Sequence, residues 1–121
     1  MAQEKTFENK IKKYLESQNC YFVKYFANRM TKAGVPDILA SVNGYFVGVE
    51  VKASNGRPSD LQKWNIEQIR ESGGFGVILY PEHWEEFKNM IVFLKGNDPD
   101  FARNMEQRIN SKFFLISTTS K

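Results

Sequence analysis

Phe7, Ile11, Tyr14 and Leu15 recur at i, i+4, i+7 and i+8. That spacing puts them on one apolar stripe and predicts a helix over residues 7–18 with Thr6 as its N-cap. Residues 21–26 (Tyr-Phe-Val-Lys-Tyr-Phe) are rich in aromatic side chains and read as a strand. A polar, partly basic loop runs from Ala27 to Pro36, and two more strand-like runs follow at 37–42 and 45–52. Between them, Asn43-Gly44 is a strong hairpin signal, because a type I′ turn needs positive φ at both central positions. Asn55-Gly56-Arg57-Pro58 marks a turn, and Ser59-Asp60-Leu61-Gln62 is a capping box opening a second helix that stops at Gly73-Gly74. Phe75 to Tyr80 is a short apolar strand, and Pro81 suits the first turn of a third helix reaching Leu94. Residues 95–100 read as a loop, followed by a short helix to Ile109 and a last strand near 113–116.

The predicted order is helix, three strands, helix, strand and a variable tail, with no repeat or low-complexity tract. The second helix is long enough to be a crossover, so the fourth strand should run parallel to a partner in the same sheet. The expected class is α/β (α+β), a mixed sheet flanked by helices. At 121 residues, the chain is expected to be a single domain, 1–121.

The two-residue turn also sets the hairpin register. Val42 faces Tyr45, Ser41 faces Phe46, and so on down to Asp37 facing Glu50. Side chains alternate along a strand, so Glu50 and Lys52 share a face while Val49 and Val51 take the other. Two carboxylates directly opposite, with Cβ atoms roughly 5 Å apart, repel each other and weaken a sheet. A divalent cation between them resolves the conflict. Mg²⁺ takes oxygen ligands, keeps several waters and needs only one or two protein carboxylates. Asp37 and Glu50 supply these, a backbone carbonyl can add another oxygen, and Lys52 one pleat on suits a phosphate or water. The competing reading is a surface ladder in which Lys52 simply offsets charge.

Composition narrows the classes further. No apolar run approaches the roughly 20 residues of a membrane span, and no signal-peptide core follows the N-terminal Met-Ala-Gln-Glu-Lys-Thr, so an intracellular location and no membrane partner are expected. A lone Cys20 excludes an internal disulfide and a cysteine-based zinc site. Cys20 and His83, each the only residue of its kind, show no sign of an activated nucleophile pair. No glycine-rich phosphate loop is present, so no organic cofactor is expected. Net charge is +3, but residues 1–36 hold seven Lys/Arg against three Glu, whereas residues 59–100 hold four against eight Asp/Glu. A basic first third beside an acidic pair can hold a polyanion near a metal.

Three further polar residues have two readings each. Gln62 lies between Ile66 and Ile69 on the apolar face of the second helix, and can reach back to Ser59 or turn toward the carboxylates. Glu8, beside Leu15 and Ile11, can serve the metal site or pair with Lys12 at i+4. Lys24 can face the site or extend to solvent.

Taken in order, Gly34-Val35-Pro36-Asp37, Gly48-Val49-Glu50-Val51-Lys52-Ala53, Gly56-Arg57-Pro58-Ser59 with Gln62 three places on, and Gly73-Gly74 resemble the PD-(D/E)-x-K nuclease superfamily and its VRR-NUC branch of phage and repair proteins. The resemblance implies a restriction-endonuclease-like αβββαβ core over about residues 7–80, a C-terminal extension over 81–121, and metal-dependent phosphodiester hydrolysis. By it, Asp37 and Glu50 match metal ligands with the Val51 carbonyl, Lys52 the lysine at the phosphate, Gln62 the helix glutamine and Glu8 the first-helix acid. Phosphate contacts are expected from Lys24, Arg29, Lys32 and Arg57. The expected protein is an Mg²⁺-dependent DNA endonuclease, able to use Mn²⁺, acting as a homodimer on branched or four-way-junction DNA in a bacterial or phage-infected cell. The alternatives are an inactive nucleic-acid-binding module of the same fold, and an interaction protein that binds neither metal nor DNA.

Overall fold

The computed structural model describes residues 2–114 of the chain. Helix α1 (Ala2–Ser17) leads into β1 (Tyr21–Lys24), β2 (Ile38–Val42) and β3 (Tyr45–Val51), then α2 (Asp60–Glu71) and β4 (Phe75–Leu79). A 3₁₀ turn (Pro81–His83), α3 (Trp84–Lys95) and α4 (Pro99–Asn110) complete the described chain. The four strands lie in sequence order, antiparallel except for β3 and β4, which run parallel across the α2 crossover. This is the mixed sheet with flanking helices that the sequence predicts, consistent with a restriction-endonuclease-like fold.

The hairpin keeps its predicted register, with Val42 opposite Tyr45 and Ile38 opposite Val49. Asn43 and Gly44 have φ of 52° and 85°, as a type I′ turn requires. Strict alternation then sorts the side chains between two faces. Ile38, Ala40, Val42, Val47, Val49, Val51, Val77 and Leu79 join Phe7, Ile11 and Leu15 of α1 in the main core. Phe87, Met90, Ile91 and Leu94 of α3 and Ala102, Met105 and Ile109 of α4 complete that core. On the opposite face Ile66 of α2 packs against Ile78 and Tyr80. Gly48 and Gly76 sit side by side on β3 and β4 and let α2 approach closely. A Cβ at Gly48 would fall 2.7 Å from Ile69, and one at Gly76 3.1 Å from the Ile66 carbonyl.

Several boundaries differ from the sequence reading. Helix α1 begins at Ala2, so Thr6 lies inside the helix and is not its cap. The residues before it, Ala-Gln-Glu-Lys, favour helix, and the Gln3 side chain anchors them by accepting the Ser54 N–H. Strand β1 ends at Lys24: the aromatic run suggests two more residues, but Phe26 is 72% exposed and the chain turns through Asn28 and Thr31. Pro81 opens a 3₁₀ turn, and the third helix proper starts at Trp84. The short helix before Ile109 is a twelve-residue α4 opened by Pro99 and capped by Asp98, which accepts the Phe101 N–H. Phe113 lies in a turn and Phe114 in a bend; the rest of the strand predicted near 113–116 lies outside the described residues.

Helix α4 covers the free edge of β4, which the sequence did not announce. Glu106 Oε2 accepts the Gly76 N–H, Asn110 Oδ1 accepts the Ile78 N–H, and Asn110 Nδ2 donates to the Gly76 carbonyl. Both side chains are fully buried. They satisfy the outward-facing groups of an edge strand that would otherwise template pairing with another chain.

Candidate active site

Asp37 sits immediately before β2, and Glu50 is the penultimate residue of β3, next in register beyond the Ile38–Val49 pair. The loop leading to Asp37 is fastened by close packing, since a Cβ at Gly34 would fall 2.6 Å from Leu61 and 2.8 Å from Asn65 of α2. Asp37 is then fixed at three points. Its carbonyl accepts the Tyr25 N–H, Oδ2 accepts the Val51 N–H at 2.8 Å, and Oδ1 accepts from Lys24 Nζ at 3.4 Å. The bond from Val51 fixes that residue's backbone against the Asp37 carboxylate. Glu50 is buried, with Lys52 Nζ 3.5 Å from its Oε2.

The two carboxyls are close enough to hydrogen-bond when one is protonated. Burial, reinforced by the Asp37 charge and only partly offset by Lys52, pushes the Glu50 carboxyl up to about 8. The repulsion read from the hairpin register is thus present, but Asp37 carries structural bonds as well.

Glu8 is buried on α1 and meets two lysines. Lys24 donates to Oε1 at 3.0 Å, and Lys12 lies 3.3 Å from Oε2. Burial raises the Glu8 carboxyl, but the two lysines outweigh it and leave the group below its ordinary range. Lys24, bonded to both Glu8 and Asp37, is held as a cation against its own partial burial. The Lys12 pair expected for Glu8 forms, and Lys24 links Glu8 to Asp37. Gln62 takes its capping role: Oε1 accepts the Ser59 N–H, and its own N–H donates to Ser59 Oγ. Only its side-chain nitrogen is left for any other partner. Arg29, Lys32 and Arg57 are exposed, the first two on the loop before Asp37 and the third in the turn before α2.

The donor set suits a hard divalent cation. Two carboxylates converge where burial and repulsion favour the protonated form of one, a conflict that a cation would relieve. No group of three or more His, Cys, Asp or Glu that could hold a metal occurs among the described residues, so water or backbone oxygens must complete any coordination shell.

The sequence model of the archaeal Holliday junction resolvase (Hjc) family matches residues 2–78, from α1 to the penultimate residue of β4. The chain belongs to that family. It is therefore a member of a resolvase family of the PD-(D/E)-x-K type, a group of nucleases that act on branched DNA and generally use divalent metals. No curated protein and no solved structure matches the chain. The matched segment contains Glu8, Lys24, Asp37, Glu50, Lys52 and Gln62, whereas α3 and α4 lie beyond it. Among the described residues, no helix is long and apolar enough to cross a membrane.

The sequence left the direction of Lys24 open, because its alternation with Phe22 on a short strand gives no direction without α1 in place; the structure turns it to Glu8 and Asp37. The sequence reading missed the Tyr80 hydroxyl, which donates to the Gly56 carbonyl at 2.8 Å and pins the turn after Lys52.

The Glu50 environment fixes a pH dependence for the metal-free protein. Its folded value is raised, so the folded state holds a proton that the unfolded chain releases near 4.5, and stability falls as pH rises from about 4.5 to about 8. Urea titrations in EDTA across that range should show the decline. Glu50→Gln should flatten it, and Asp37→Asn should reduce it by removing one cause of the shift. A flat wild-type profile would show that the two carboxyls do not oppose each other in solution.

Proposed function

We propose that this protein is a divalent-metal-dependent endonuclease that cuts four-way or flapped DNA as a homodimer. The observation that carries the reading is the Asp37–Glu50 pair at the open end of the hairpin, with Lys52 3.5 Å from Glu50. Asp37, Glu50 and the Val51 carbonyl would hold the cation, Mg²⁺ or Mn²⁺. When bound, such a cation supplies Lewis-acid activation of water and neutralises phosphate charge. Asp37 is kept in orientation by the Val51 N–H and Lys24. Lys52 presents its ammonium where negative charge develops as water attacks phosphorus and the bond to the leaving oxygen breaks. Glu8 keeps Lys24 in place, with Lys12 on its second oxygen. Gln62 caps α2 and thereby fixes the turn at Arg57. Arg29, Lys32 and Arg57 supply salt-sensitive phosphate contacts. Within the superfamily, Gly-Val-Pro-Asp and Gly-Val-Glu-Val-Lys support a place near the VRR-NUC branch.

An uncovered sheet face supports the homodimer. Helix α2 packs over β3 and β4, and beside it Tyr21, Val23 and Phe46 stand 73%, 41% and 46% exposed. Tyr21, Ser41 and Phe46 are consecutive cross-strand partners, so these apolar side chains share one surface. Contiguous exposed apolar patches of this kind mark interaction sites. A dyad places two active sites on opposite strands, as symmetric cutting of a junction requires.

The test is a panel of labelled linear, flapped and four-way DNA with Mg²⁺, alongside light scattering. A dimer that cuts branched DNA in preference to linear duplex is expected. A monomer cutting all three equally would remove the resolvase reading and leave the nuclease reading. No cleavage of any substrate with Mg²⁺ or Mn²⁺ would remove both.

A further inference from the structure

The parallel pair β3 and β4 ends beside the candidate active site, and three cations are arranged along that end. Lys52 is the first residue past β3, and its N–H donates to the Leu79 carbonyl. The turn after it folds back, so that a Cβ at Gly56 would lie 3.4 Å from Lys52 Cδ. Arg57 follows Gly56 and is exposed. Tyr80, just past β4, ties the layers together, with its hydroxyl on the Gly56 carbonyl and its ring stacked on Phe113 at 6.1 Å. Lys112 stands over the same ring, its Nζ 4.9 Å from the Tyr80 centroid. Ion pairs among the described residues engage neither Arg57 nor Lys112. The charge of Glu82 acts on the Tyr80 hydroxyl and opposes that of Arg57 there.

We infer that Arg57 and Lys112 form a phosphate-binding site across Tyr80, extending from Lys52 and holding the DNA backbone next to the bond that is cut. The inference rests on the nuclease reading and goes beyond it, because Lys112 lies outside the family-matched residues 2–78. The C-terminal segment thereby contributes to substrate binding as well as to the core. Tyr80, 3% exposed, gives Lys112 a firm platform, and its hydroxyl holds the Gly56 carbonyl next to Arg57. With no carboxylate partner among the described residues, both charges are available to an anion. A phosphate contact of this type is sequence-independent and releases counterions, so its signature is the salt slope of binding.

The experiment measures affinity for a labelled four-way junction in Ca²⁺ across a salt series, together with single-turnover cleavage in Mg²⁺ up to saturating protein. Lys112→Ala should weaken binding several-fold and reduce the slope of log K against log salt by about one. Arg57→Ala should do the same, and the double variant should lose about two. Lys112→Arg should restore the slope, and Glu82→Gln should tighten binding. Lys112→Ala should need proportionately more protein to reach its maximal cleavage rate, because that residue holds the strand. Unchanged affinity and slope in a Lys112→Ala variant that melts with the wild type would overturn the inference alone. A wild-type protein with no salt-dependent DNA binding would overturn it together with the nuclease reading.

Discussion

Replacing Glu50 with Gln, or Lys52 with Ala, is expected to lower cleavage of junction DNA by about 10²-fold or more, with far smaller change in affinity for the same DNA in Ca²⁺. The two substitutions act on one cluster by different routes. Glu50→Gln keeps the volume of a buried side chain and removes its negative charge, so cation affinity falls while the neutral, folded form is retained. That form is already favoured here, since burial and Asp37 hold the carboxyl up to about 8. Stability of the metal-free variant should therefore be unchanged or raised near neutral pH. Lys52→Ala removes the cation beside Glu50 and leaves developing charge on the phosphate without a donor. Single-turnover rates with Mg²⁺ and with Mn²⁺, set beside thermal melts with and without metal, separate the two. Metal should raise the melting temperature of wild type and of Lys52→Ala but not of Glu50→Gln. Near wild-type cleavage by either variant would mean that the cluster is not where the reaction occurs.

Glu106→Leu is expected to destabilise the protein by about 3 kcal/mol, with little direct effect on the active-site groups. Glu106 is fully buried and accepts from Gly76 N–H and from Arg103, with Arg70 3.6 Å away. Leucine fills similar space but leaves the strand N–H unpaired and removes the counter-charge of two guanidinium groups. Arg103 is part exposed and still donates to the Gly74 carbonyl, so some of its loss is recovered in water. Asn110→Leu should cost about 1–3 kcal/mol by the same logic, because it strips partners from both Ile78 and Gly76. Urea unfolding at fixed pH measures both. Changes under about 0.5 kcal/mol, in the range of ordinary surface substitutions, would show that α4 does not close the β4 edge in solution.

The sequence by itself determined the local grammar of this protein. Asn43-Gly44 can form only a narrow class of turn, and a two-residue loop with period-two side chains fixes which residues face each other. Hence Asp37 and Glu50 were legible as neighbours, with Lys52 on the same face as Glu50. Ser59 and Gln62 carry their capping chemistry within four residues, and the structure forms both of its hydrogen bonds. The parallel β4 followed from the length of the crossover. These are short-range relations, in which covalent geometry leaves few outcomes.

Only the tertiary structure decided the rest. Lys24 and Glu8 are sixteen residues apart on a strand and a helix, and their bond depends on where α1 packs across the sheet. No periodicity in either segment specifies that placement. The Val51 N–H could bind Asp37 only once the hairpin was closed at the correct distance. Glu106 and Asn110 looked like the polar side of a short tail helix. Their burial arises because β4 is an edge strand whose unpaired N–H and C=O groups need partners from another element, and that need exists only after the sheet has formed. Side chains can advertise the face of a helix, but the identity of the opposing surface is a property of the assembled fold.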